Sequence, residues 1–261
     1  MSELNEVSRA QAALEGNTSA HHHRSHNAGL LLSVIVPVYN EEAALEILCR
    51  EIMAALAQQR EDFEIIFVND GSTDRSLSIL ESLANTYAPR IRVITGSGRL
   101  GQTAALKRGL DSAQGDTLIT LDADLQNDPA DIPLLIQKLQ QGYDVVCGWR
   151  KARQDKPVKS FLSKLANRLQ RMLTGLPVHD ISCTLRAYRR KCLEELSLSR
   201  PGEHRFIPLI LSSRGYRISE IEVHHRSRRY GQSKYNHKRA FKVIADFVRI
   251  LFVLRVLKKR K

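Results

Sequence analysis

Long apolar runs and paired cysteines are what this sequence most clearly lacks. No stretch of about 18 uncharged apolar residues occurs, so we expect no membrane-spanning helix. Residues 1–29 contain no apolar segment of the kind that a signal peptide needs, and their polar composition predicts a disordered leader. The cysteines, Cys49, Cys147, Cys183 and Cys192, show no C-x-x-C spacing. We interpret them as reduced core residues of a cytosolic protein, which excludes a disulfide scaffold.

Acidic residues are also in deficit. The chain has 40 Lys and Arg against 28 Asp and Glu, a formal net charge of +12, and Asp246 is the only acidic residue after His225. This imbalance indicates an anionic partner, which could be nucleic acid, a phosphorylated substrate or an acidic membrane surface. The basic residues are not interleaved with stacking aromatics, and no RRM or zinc module is present. Nucleic-acid binding is therefore the least favoured of the three.

Short β-branched runs alternate with longer helical segments from Leu30 onward. The runs predict strands near 31–36, 63–68, 91–95, 117–121 and 144–147. Between and after them, helices are predicted near 41–58, 74–87, 102–114 and 131–141. Strands this apolar suit a mostly parallel sheet that is covered by helices on both faces. The pattern predicts an α/β fold with a nucleotide-sized site at the carboxyl ends of the strands.

The pattern changes after Cys147. Short helices are predicted near 189–196 and 205–213, and a strand near 216–223. The segment 158–173 predicts a helix with an apolar stripe and a basic opposite face, as an interfacial helix has. A basic loop and a second, largely apolar helix follow near 224–239 and 240–257. Both helices suit a membrane surface, although packing in the core or in a dimer interface would explain the same pattern.

Two aspartates follow the fourth predicted strand. Asp122 and Asp124 form a D-x-D pair, with Gln126 and Asp128 just beyond it. A solvated turn with capping aspartates would explain the spacing alone. At a strand end, however, both carboxylates can reach one divalent cation, and Mg²⁺ or Mn²⁺ typically takes one or two carboxylates together with substrate phosphates. We therefore interpret the pair as a metal–diphosphate site.

Polar side chains also follow the first two predicted strands. Asp70 lies in Asn69–Asp74, where Gly71 permits a tight turn and Ser72, Thr73 or Asp74 can cap the next helix. Its carboxylate is placed to accept hydrogen bonds from a base or ribose, and Tyr39 offers a ring face after the first strand. Three such strand ends meeting at one sheet edge favour a nucleotide site.

The run Gly96–Gly101 matches G-x-G-x-x-G, follows a strand and opens a helix. By itself it predicts a dinucleotide-binding turn, with Asp122 about 20 residues later. The run lies in the third strand–helix unit, however, and Asp122 begins the D-x-D pair. We therefore prefer a flexible turn beside the nucleotide.

Taken together, these motifs resemble an inverting family 2 glycosyltransferase with the GT-A fold. The resemblance extends over about residues 30–257 and rests on the segments Pro37–Glu42, Asn69–Asp74, Gly101–Ala104, Asp122–Asp128 and Arg228–Tyr235. The subgroup that it resembles is that of the polyprenyl-phosphate glycosyltransferases. Within it, Gly175–Arg190 and His224–Tyr235 are similar to bacterial undecaprenyl-phosphate aminoarabinose-type transferases. The chain then divides into the leader over 1–29, a GT-A domain over 30–225, and a basic donor loop with a membrane-interfacial helix over 226–261.

The resemblance implies a role for each matching residue. Residues of the donor site would be Pro37, Tyr39, Glu41, Asp70, Gln102, Arg228 and Lys234. The metal, Mg²⁺ or Mn²⁺, and the diphosphate would be held by Asp122, Asp124 and Gln126. The lipid phosphate would be received by Arg150, Lys159 and Ser163, where Lys159 replaces an arginine that the subgroup can have. These three and the two aspartates would form the catalytic set.

The resemblance also implies the reaction. One sugar would pass from a nucleotide sugar to a polyprenyl (undecaprenyl or dolichyl) phosphate, with inversion, at the cytoplasmic face of the inner membrane. A UDP sugar is favoured over GDP-mannose. A phosphate monoester near pH 7 is already ionised and needs no general base. Transfer to a hydroxyl of a soluble glycan or protein is the alternative, and it would need a base that the sequence does not reveal.

The expected membrane partner is an anionic lipid surface, attracted by Lys258–Lys261. Many bacterial relatives of the subgroup continue into membrane-spanning helices. We therefore expect peripheral attachment, with a membrane-anchoring subunit or a homo-oligomer as further partners that the sequence leaves open. No nucleic-acid partner is expected.

Overall fold

The computed structural model describes residues 31–59, 62–96, 98–151, 171–172, 174–194 and 196–227. The predicted leader, the helix near 240–257 and nearly all of the segment 158–173 lie outside them, and the division into three regions stays a prediction. The strands are β1 (Leu32–Val38), β2 (Phe63–Asn69), β3 (Ile91–Thr95), β4 (Thr117–Thr120), β5 (Val145–Trp149), β6 (Arg186–Arg189) and β7 (Ile218–Glu222). The helices are α1 (Leu45–Leu56), α2 (Ser76–Thr86), α3 (Gln102–Ser112), α4 (Ile132–Gln140) and α5 (Ile207–Ser213).

The seven described strands form one sheet in the order β3-β2-β1-β4-β6-β5-β7. The four strands β3, β2, β1 and β4 are parallel, and β5 is parallel to β7. Only β6 runs against its neighbours β4 and β5. The α/β prediction is confirmed, and the carboxyl ends of β1, β2 and β4 share one edge of the sheet.

Helices cover both faces of this sheet, which explains the unbroken apolar runs of its strands. On one face, Val34 and Val36 of β1 join a core that includes Leu48 of α1. On the other face, Ile35 joins a second core that includes Leu106 of α3. Cys49 and the other three cysteines are buried and free, so their interpretation as reduced core residues is confirmed.

Helix α3 packs unusually close to the sheet. A Cβ atom on Gly109 would lie 2.4 Å from Cγ2 of Ile35 and 3.0 Å from Cγ2 of Val68. Glycine at this position lets the helix approach β1 and β2. The close approach places the first residue of α3, Gln102, beside the end of β4.

The prediction of a helix near 189–196 is wrong. Strand β6 occupies Arg186–Arg189, and only a single 3-10 turn, Arg190–Cys192, follows it. Strand β6 begins with an arginine although the strand is buried, so its sequence does not show the apolar run that indicates a buried strand. The buried guanidinium of Arg186 donates to the carbonyl oxygens of Ile181, His204 and Arg205, which makes its burial tolerable.

Within the described ranges, no helix combines the length and the apolar character that crossing a membrane requires.

A buried carboxylate links three strands near their amino ends. The Glu64 carboxylate of β2 accepts hydrogen bonds from Oγ of Ser33 at 2.7 Å, from the backbone amide of Gln114 at 2.6 Å and from Nη1 of Arg92 at 2.7 Å. Glu64 is 5% exposed. A buried carboxylate in such a network stabilises the fold only while its partners remain.

Replacing Glu64 with alanine should lower the free energy of unfolding by about 2–3 kcal/mol, because three donors lose their acceptor. Denaturant titration measures this change. The matched control is Asp111→Ala, which removes an exposed carboxylate paired with Lys107 one helical turn away; it should cost less than about 0.5 kcal/mol. Equal effects in the two variants would show that the Glu64 network is not stabilising.

Candidate active site

The carboxyl edge of the parallel strands gathers side chains from three elements. Tyr39 follows β1, Asp70 follows β2 and Asp122 lies just after β4. Because β1 lies between β2 and β4 and is parallel to both, these three strand ends are neighbours. The chain order also reverses between β1 and β4, and open α/β sheets bind their ligands at such a switch point.

Asp122 and Asp124 lie in one tight turn beyond β4. Oδ1 of Asp124 accepts a hydrogen bond from the backbone amide of Gln126 at 3.2 Å, and Leu125 between them has a left-handed backbone with φ of 59°. Oδ1 of Asp122 accepts from Nε2 of Gln102 at 2.8 Å. The turn thus brings all three predicted metal ligands together and sets Gln102 beside the first.

The pKa of the Asp122 carboxyl is raised to about 6. Burial is the largest cause, and repulsion from the Asp124 carboxylate is the second. Hydrogen bonds from Thr184 and Gln102 and the positive charge of Arg150 oppose the rise. The protein therefore holds the Asp122 carboxyl close to a second carboxylate at a cost to its ionised form, and a divalent cation would reduce that cost.

The oxygen atoms that Asp122, Asp124 and Gln126 can offer suit Mg²⁺ or Mn²⁺, but they would not fill its coordination sphere without a bound diphosphate. Among the described residues, no group of three or more His, Cys, Asp or Glu side chains could hold a metal. Two carboxylates and an amide supply hard oxygen atoms, and a diphosphate would have to complete the coordination. The metal roles of Asp122, Asp124 and Gln126 stay predictions, and the geometry is compatible with them.

Arg150 lies directly after β5 and is held by an ion pair that the sequence did not predict. Its Nε and Nη2 atoms donate to the two oxygens of Asp180 at 2.7 and 3.1 Å, and Nη2 also donates to Oγ of Ser182 at 2.9 Å. Asp180 is 2% exposed. A bidentate pair of this kind fixes the plane of the guanidinium. Arg150 is thus a positioned cation near Asp122, and its contact with an acceptor phosphate stays a prediction.

Asp70 is buried and already serves the loop that precedes α3. Its carboxylate accepts hydrogen bonds from the backbone amide of Leu100 at 2.8 Å and from that of Gly101 at 2.9 and 3.1 Å. The predicted contact between Asp70 and a base or ribose is untested, and a carboxylate has capacity for further donors. The loop so held carries Arg99, whose guanidinium lies over the Tyr39 ring at 3.9 Å from its centroid.

The other described residues that the sequence predicts for the donor site lie at the same edge of the sheet. Glu41 follows β1, and its backbone amide donates to Oγ of Ser76 at 3.0 Å. Asp122 lines a small pocket together with other side chains from β1, α3, β6 and the segments beside them, among them Pro37, Gln102, Thr184, Arg186 and His204. Sequence reasoning missed the last three because no local pattern joins residues so distant along the chain. Lys159, Ser163, Arg228 and Lys234 lie outside the described residues.

Residues 224–226 dock on the turn that follows Asp124. The backbone amide of Arg226 donates to the carbonyl oxygen of Gln126 at 2.8 Å, and Asn127 forms an isolated bridge with His225. The Arg226 guanidinium lies 2.8 Å from both oxygens of Glu51 and 2.6 Å from Oδ2 of Asp128. The end of the described chain is thereby fixed against the loop that carries the metal-ligand candidates.

The raised pKa of Asp122 predicts how the free energy of unfolding depends on pH. An acid whose pKa is higher in the folded than in the unfolded state stabilises the fold only while it is protonated, so its benefit is lost between the unfolded value near 4 and about 6. In metal-free protein at pH 8, Asp122→Asn should therefore raise the free energy of unfolding by about 1–2 kcal/mol, and this gain should vanish near pH 4. Denaturant titrations in EDTA measure it.

The control for this experiment is Asp116→Asn, which neutralises an exposed carboxylate just before β4, at the opposite edge of the sheet. It should leave the stability nearly unchanged at both pH values. A wild-type protein more stable than Asp122→Asn at pH 8 would contradict the repulsion.

The ion pair between Arg226 and Asp128 predicts that substitutions of the two residues have non-additive effects on the free energy of unfolding. Arg226→Ala and Asp128→Ala should each reduce the free energy of unfolding, and the double variant should lose about 1 kcal/mol less than the sum, because the ion pair is removed only once. Arg75→Ala, which breaks the exposed pair with Glu42, should show no coupling with Asp128→Ala. Additive effects of Arg226 and Asp128 would show that the pair contributes nothing.

Comparison with known proteins places the chain in a family. Residues 33–197 match the model of glycosyl transferase family 2. The undecaprenyl-phosphate 4-deoxy-4-formamido-L-arabinose transferase of Pseudomonas aeruginosa (strain UCBPP-PA14) is 40% identical over 218 residues, which cover 84% of this chain and 64% of that protein. The dodecaprenyl-phosphate galacturonate synthase of Rhizobium johnstonii is 38% identical over 234 residues, or 87% of this chain and 68% of the relative. The chain thus spans about two thirds of the length of these relatives.

Solved structures share the fold. Glucosyl-3-phosphoglycerate synthase from Mycobacterium tuberculosis, in complex with Mn²⁺, uridine diphosphate and phosphoglyceric acid, superimposes with a TM-score of 0.64 at 20% identity. The match covers 87% of this chain and 78% of that one. Identity this low establishes the shared GT-A architecture alone. The match to the family model and the two curated relatives show that the chain belongs to glycosyl transferase family 2.

Proposed function

We propose that this protein transfers one sugar from a nucleotide-sugar donor to a polyprenyl phosphate, with inversion at the anomeric carbon. The observation that carries the proposal is the turn of Asp122 and Asp124. It combines two neighbouring carboxylates, of which Asp122 has a raised pKa, with a positioned cation, Arg150, at the carboxyl edge of the sheet. This arrangement suits a reaction in which an anionic donor and an anionic acceptor must meet.

On the donor side, Tyr39 and Asp70 would contact the base and ribose, as would Pro37 near the end of β1 and Glu41 in the segment after it. Asp122, Asp124 and Gln126 would hold Mg²⁺ or Mn²⁺, which supplies charge neutralisation and orientation to the diphosphate when bound. Gln102 is hydrogen-bonded to Asp122 and would keep that carboxylate turned toward the donor. A UDP sugar is favoured over GDP-mannose, because the transferases that resemble this chain are bacterial enzymes of the aminoarabinose type.

On the acceptor side, Arg150 would receive the phosphate of the lipid, with Lys159 and Ser163. The Asp180 and Ser182 contacts fix the guanidinium of Arg150 before any substrate arrives. A phosphate monoester carries about −1.5 to −2 charge near pH 7, so it can attack without a general base. Its oxygen would form the new bond to the anomeric carbon as the bond to the nucleoside diphosphate breaks on the opposite side, and configuration inverts.

The names of the relatives support this acceptor. The Pseudomonas protein is named for undecaprenyl phosphate and the Rhizobium protein for dodecaprenyl phosphate. A polyprenyl acceptor implies work at a membrane surface, and we propose the cytoplasmic face of the inner membrane. The basic C-terminal residues, including Lys258–Lys261, would attract anionic lipid there. A membrane-anchoring subunit or a second copy of the chain could add to this attachment.

Purified protein should convert labelled UDP sugar and undecaprenyl phosphate into a product that partitions into organic solvent, in the presence of Mn²⁺ or Mg²⁺. Asp124→Ala should slow this reaction by at least about 100-fold, a barrier increase of ~2.7 kcal/mol. The control Asp116→Asn should retain the wild-type rate. Scintillation counting of the organic phase measures both.

Two further substrates test the acceptor and the donor. Undecaprenol, which lacks the phosphate, should give no product, because the proposal needs a nucleophile that is already ionised. GDP-mannose in place of the UDP sugars tests which nucleobase the donor site prefers. Product with a water-soluble hydroxyl acceptor and none with the lipid phosphate would overturn the proposed acceptor, and full activity of Asp124→Ala would overturn the metal assignment.

A further inference from the structure

The aspartate that holds Arg150 belongs to a segment without helix or strand. Asp180 lies within residues 175–185, which lead into β6. The end of this segment is tied to the sheet, because the carbonyl oxygen of Leu185 accepts a hydrogen bond from the backbone amide of Gly148 at 2.9 Å. Asp180 lies five residues before that point. The position of its carboxylate therefore depends on other contacts of the segment.

His179, the residue before Asp180, binds the segment to two adjacent strands. Its backbone amide donates to Oε2 of Glu220 in β7 at 2.7 Å, and its ring atom Nδ1 contacts Oε1 of the same carboxylate. The His179 ring also stacks on Trp149, the last residue of β5, with 4.3 Å between the ring centroids and 19° between the planes. The Glu220 side chain is 10% exposed. These two partners hold a partly exposed histidine in one orientation.

Two pairs of contacts thus join the end of β5 to the 175–185 segment. Trp149 stacks on His179, and the residues that follow them, Arg150 and Asp180, form the bidentate ion pair. Adjacent α-carbons lie about 3.8 Å apart, so a shift of His179 also moves Asp180. The ion pair is sensitive to such a shift, because both carboxylate oxygens must stay aligned with the planar guanidinium. The orientation of Arg150 therefore depends on the contacts that hold His179.

We propose that His179 is a positioning residue for the acceptor side of the site. Glu220 and Trp149 hold His179, and His179 keeps the Asp180 carboxylate where it fixes the Arg150 guanidinium. His179 itself would touch no reacting atom. The inference rests on the proposed function, in which Arg150 receives the phosphate of the lipid. It deepens that function by naming the residues that set the orientation of this cation.

A purely structural role of His179 makes a different prediction. If the contacts only stabilised the fold, their loss would reduce the fraction of folded enzyme, which lowers kcat and leaves both Michaelis constants unchanged. A positioning role acts on the acceptor alone, because the predicted donor residues Tyr39 and Asp70 follow β1 and β2, on the other side of β4. The Michaelis constants of the two substrates therefore separate the two roles.

His179→Ala should raise the KM for undecaprenyl phosphate about 10-fold and leave the KM for the UDP sugar unchanged, because a guanidinium that is no longer held in place binds the phosphate less well. Each constant is measured on the full chain with the other substrate at saturation. Trp149→Leu, which removes the ring that stacks on His179, should have the same effect. Trp149→Phe keeps a flat ring and should restore most of the affinity for the acceptor.

The matched control lies two residues further along β7. Glu222 is exposed and pairs with Lys151 at 2.6 Å, whereas Glu220 binds His179. Glu220→Ala should raise the KM for undecaprenyl phosphate as His179→Ala does, and Glu222→Ala should leave both constants unchanged. The comparison involves two carboxylates of one strand that differ in their partner.

An unchanged KM for undecaprenyl phosphate in His179→Ala would overturn the inference while leaving the proposed function intact. An equal rise in both constants would also overturn it, because it would show a general distortion of the site. Wild-type protein that forms no lipid product would remove the proposed function and the inference with it. If circular dichroism shows that His179→Ala does not fold, the comparison of Trp149→Leu with Trp149→Phe decides.

Discussion

Asp122 and Asp124 are held in one turn at the end of β4, where burial and mutual repulsion raise the pKa of Asp122. Most of the candidate site is arranged around this unfavourable interaction. Gln102 and Thr184 supply hydrogen bonds to Asp122, and Arg150 supplies a positive charge. These contacts reduce the cost of the pair without cancelling it. A divalent cation bound beside Asp122 would remove the repulsion that these contacts leave.

The sheet makes that arrangement possible because it brings distant segments to one edge. Asp122 follows β4, Gln102 opens α3, Thr184 precedes β6 and Arg150 follows β5. The antiparallel β6 lies between β4 and β5, which bridges the strand that carries the acids and the strand that carries the cation. The predicted donor residues Tyr39 and Asp70 follow β1 and β2, on the other side of β4. The order of strands thus separates the elements with the predicted donor residues from those with the predicted acceptor residue Arg150, and the two carboxylates lie between them.

Features with a local signal could be predicted from the sequence. The β-branched runs predicted β1 to β5, because strands covered on both faces must be apolar throughout, and the D-x-D pair was correctly placed at a strand end. The capping role suggested for Asp74 is also local, and its carboxylate accepts from the amide of Ser76 at 2.9 Å. Strand β6 was missed because Arg186 breaks the apolar pattern. Its burial depends on carbonyl groups from residues 181, 204 and 205, which no window of the sequence includes.

The contacts that orient functional groups could not be predicted from the sequence, because they also join residues that are distant along the chain. The partner of Arg150 is Asp180, and the partner of Arg99 is Tyr39; each pair is joined only through the fold. The run Gly96–Gly101 is an example of a motif whose local sequence does not determine its ligand. In a dinucleotide site, backbone amides at the start of the helix face a pyrophosphate. Here the amides of Leu100 and Gly101 face Asp70, which lies one strand away.

A protein carboxylate therefore occupies the place of the phosphate at this helix terminus. The same hydrogen bonds that remove the amides from phosphate binding hold the loop on Gly71 and direct Arg99 toward Tyr39. The glycine pattern is thus compatible with both kinds of site, because glycine supplies only the tight turn. The two kinds of site differ in the group that accepts the hydrogen bonds of these amides, and here that group is Asp70, which lies outside the motif.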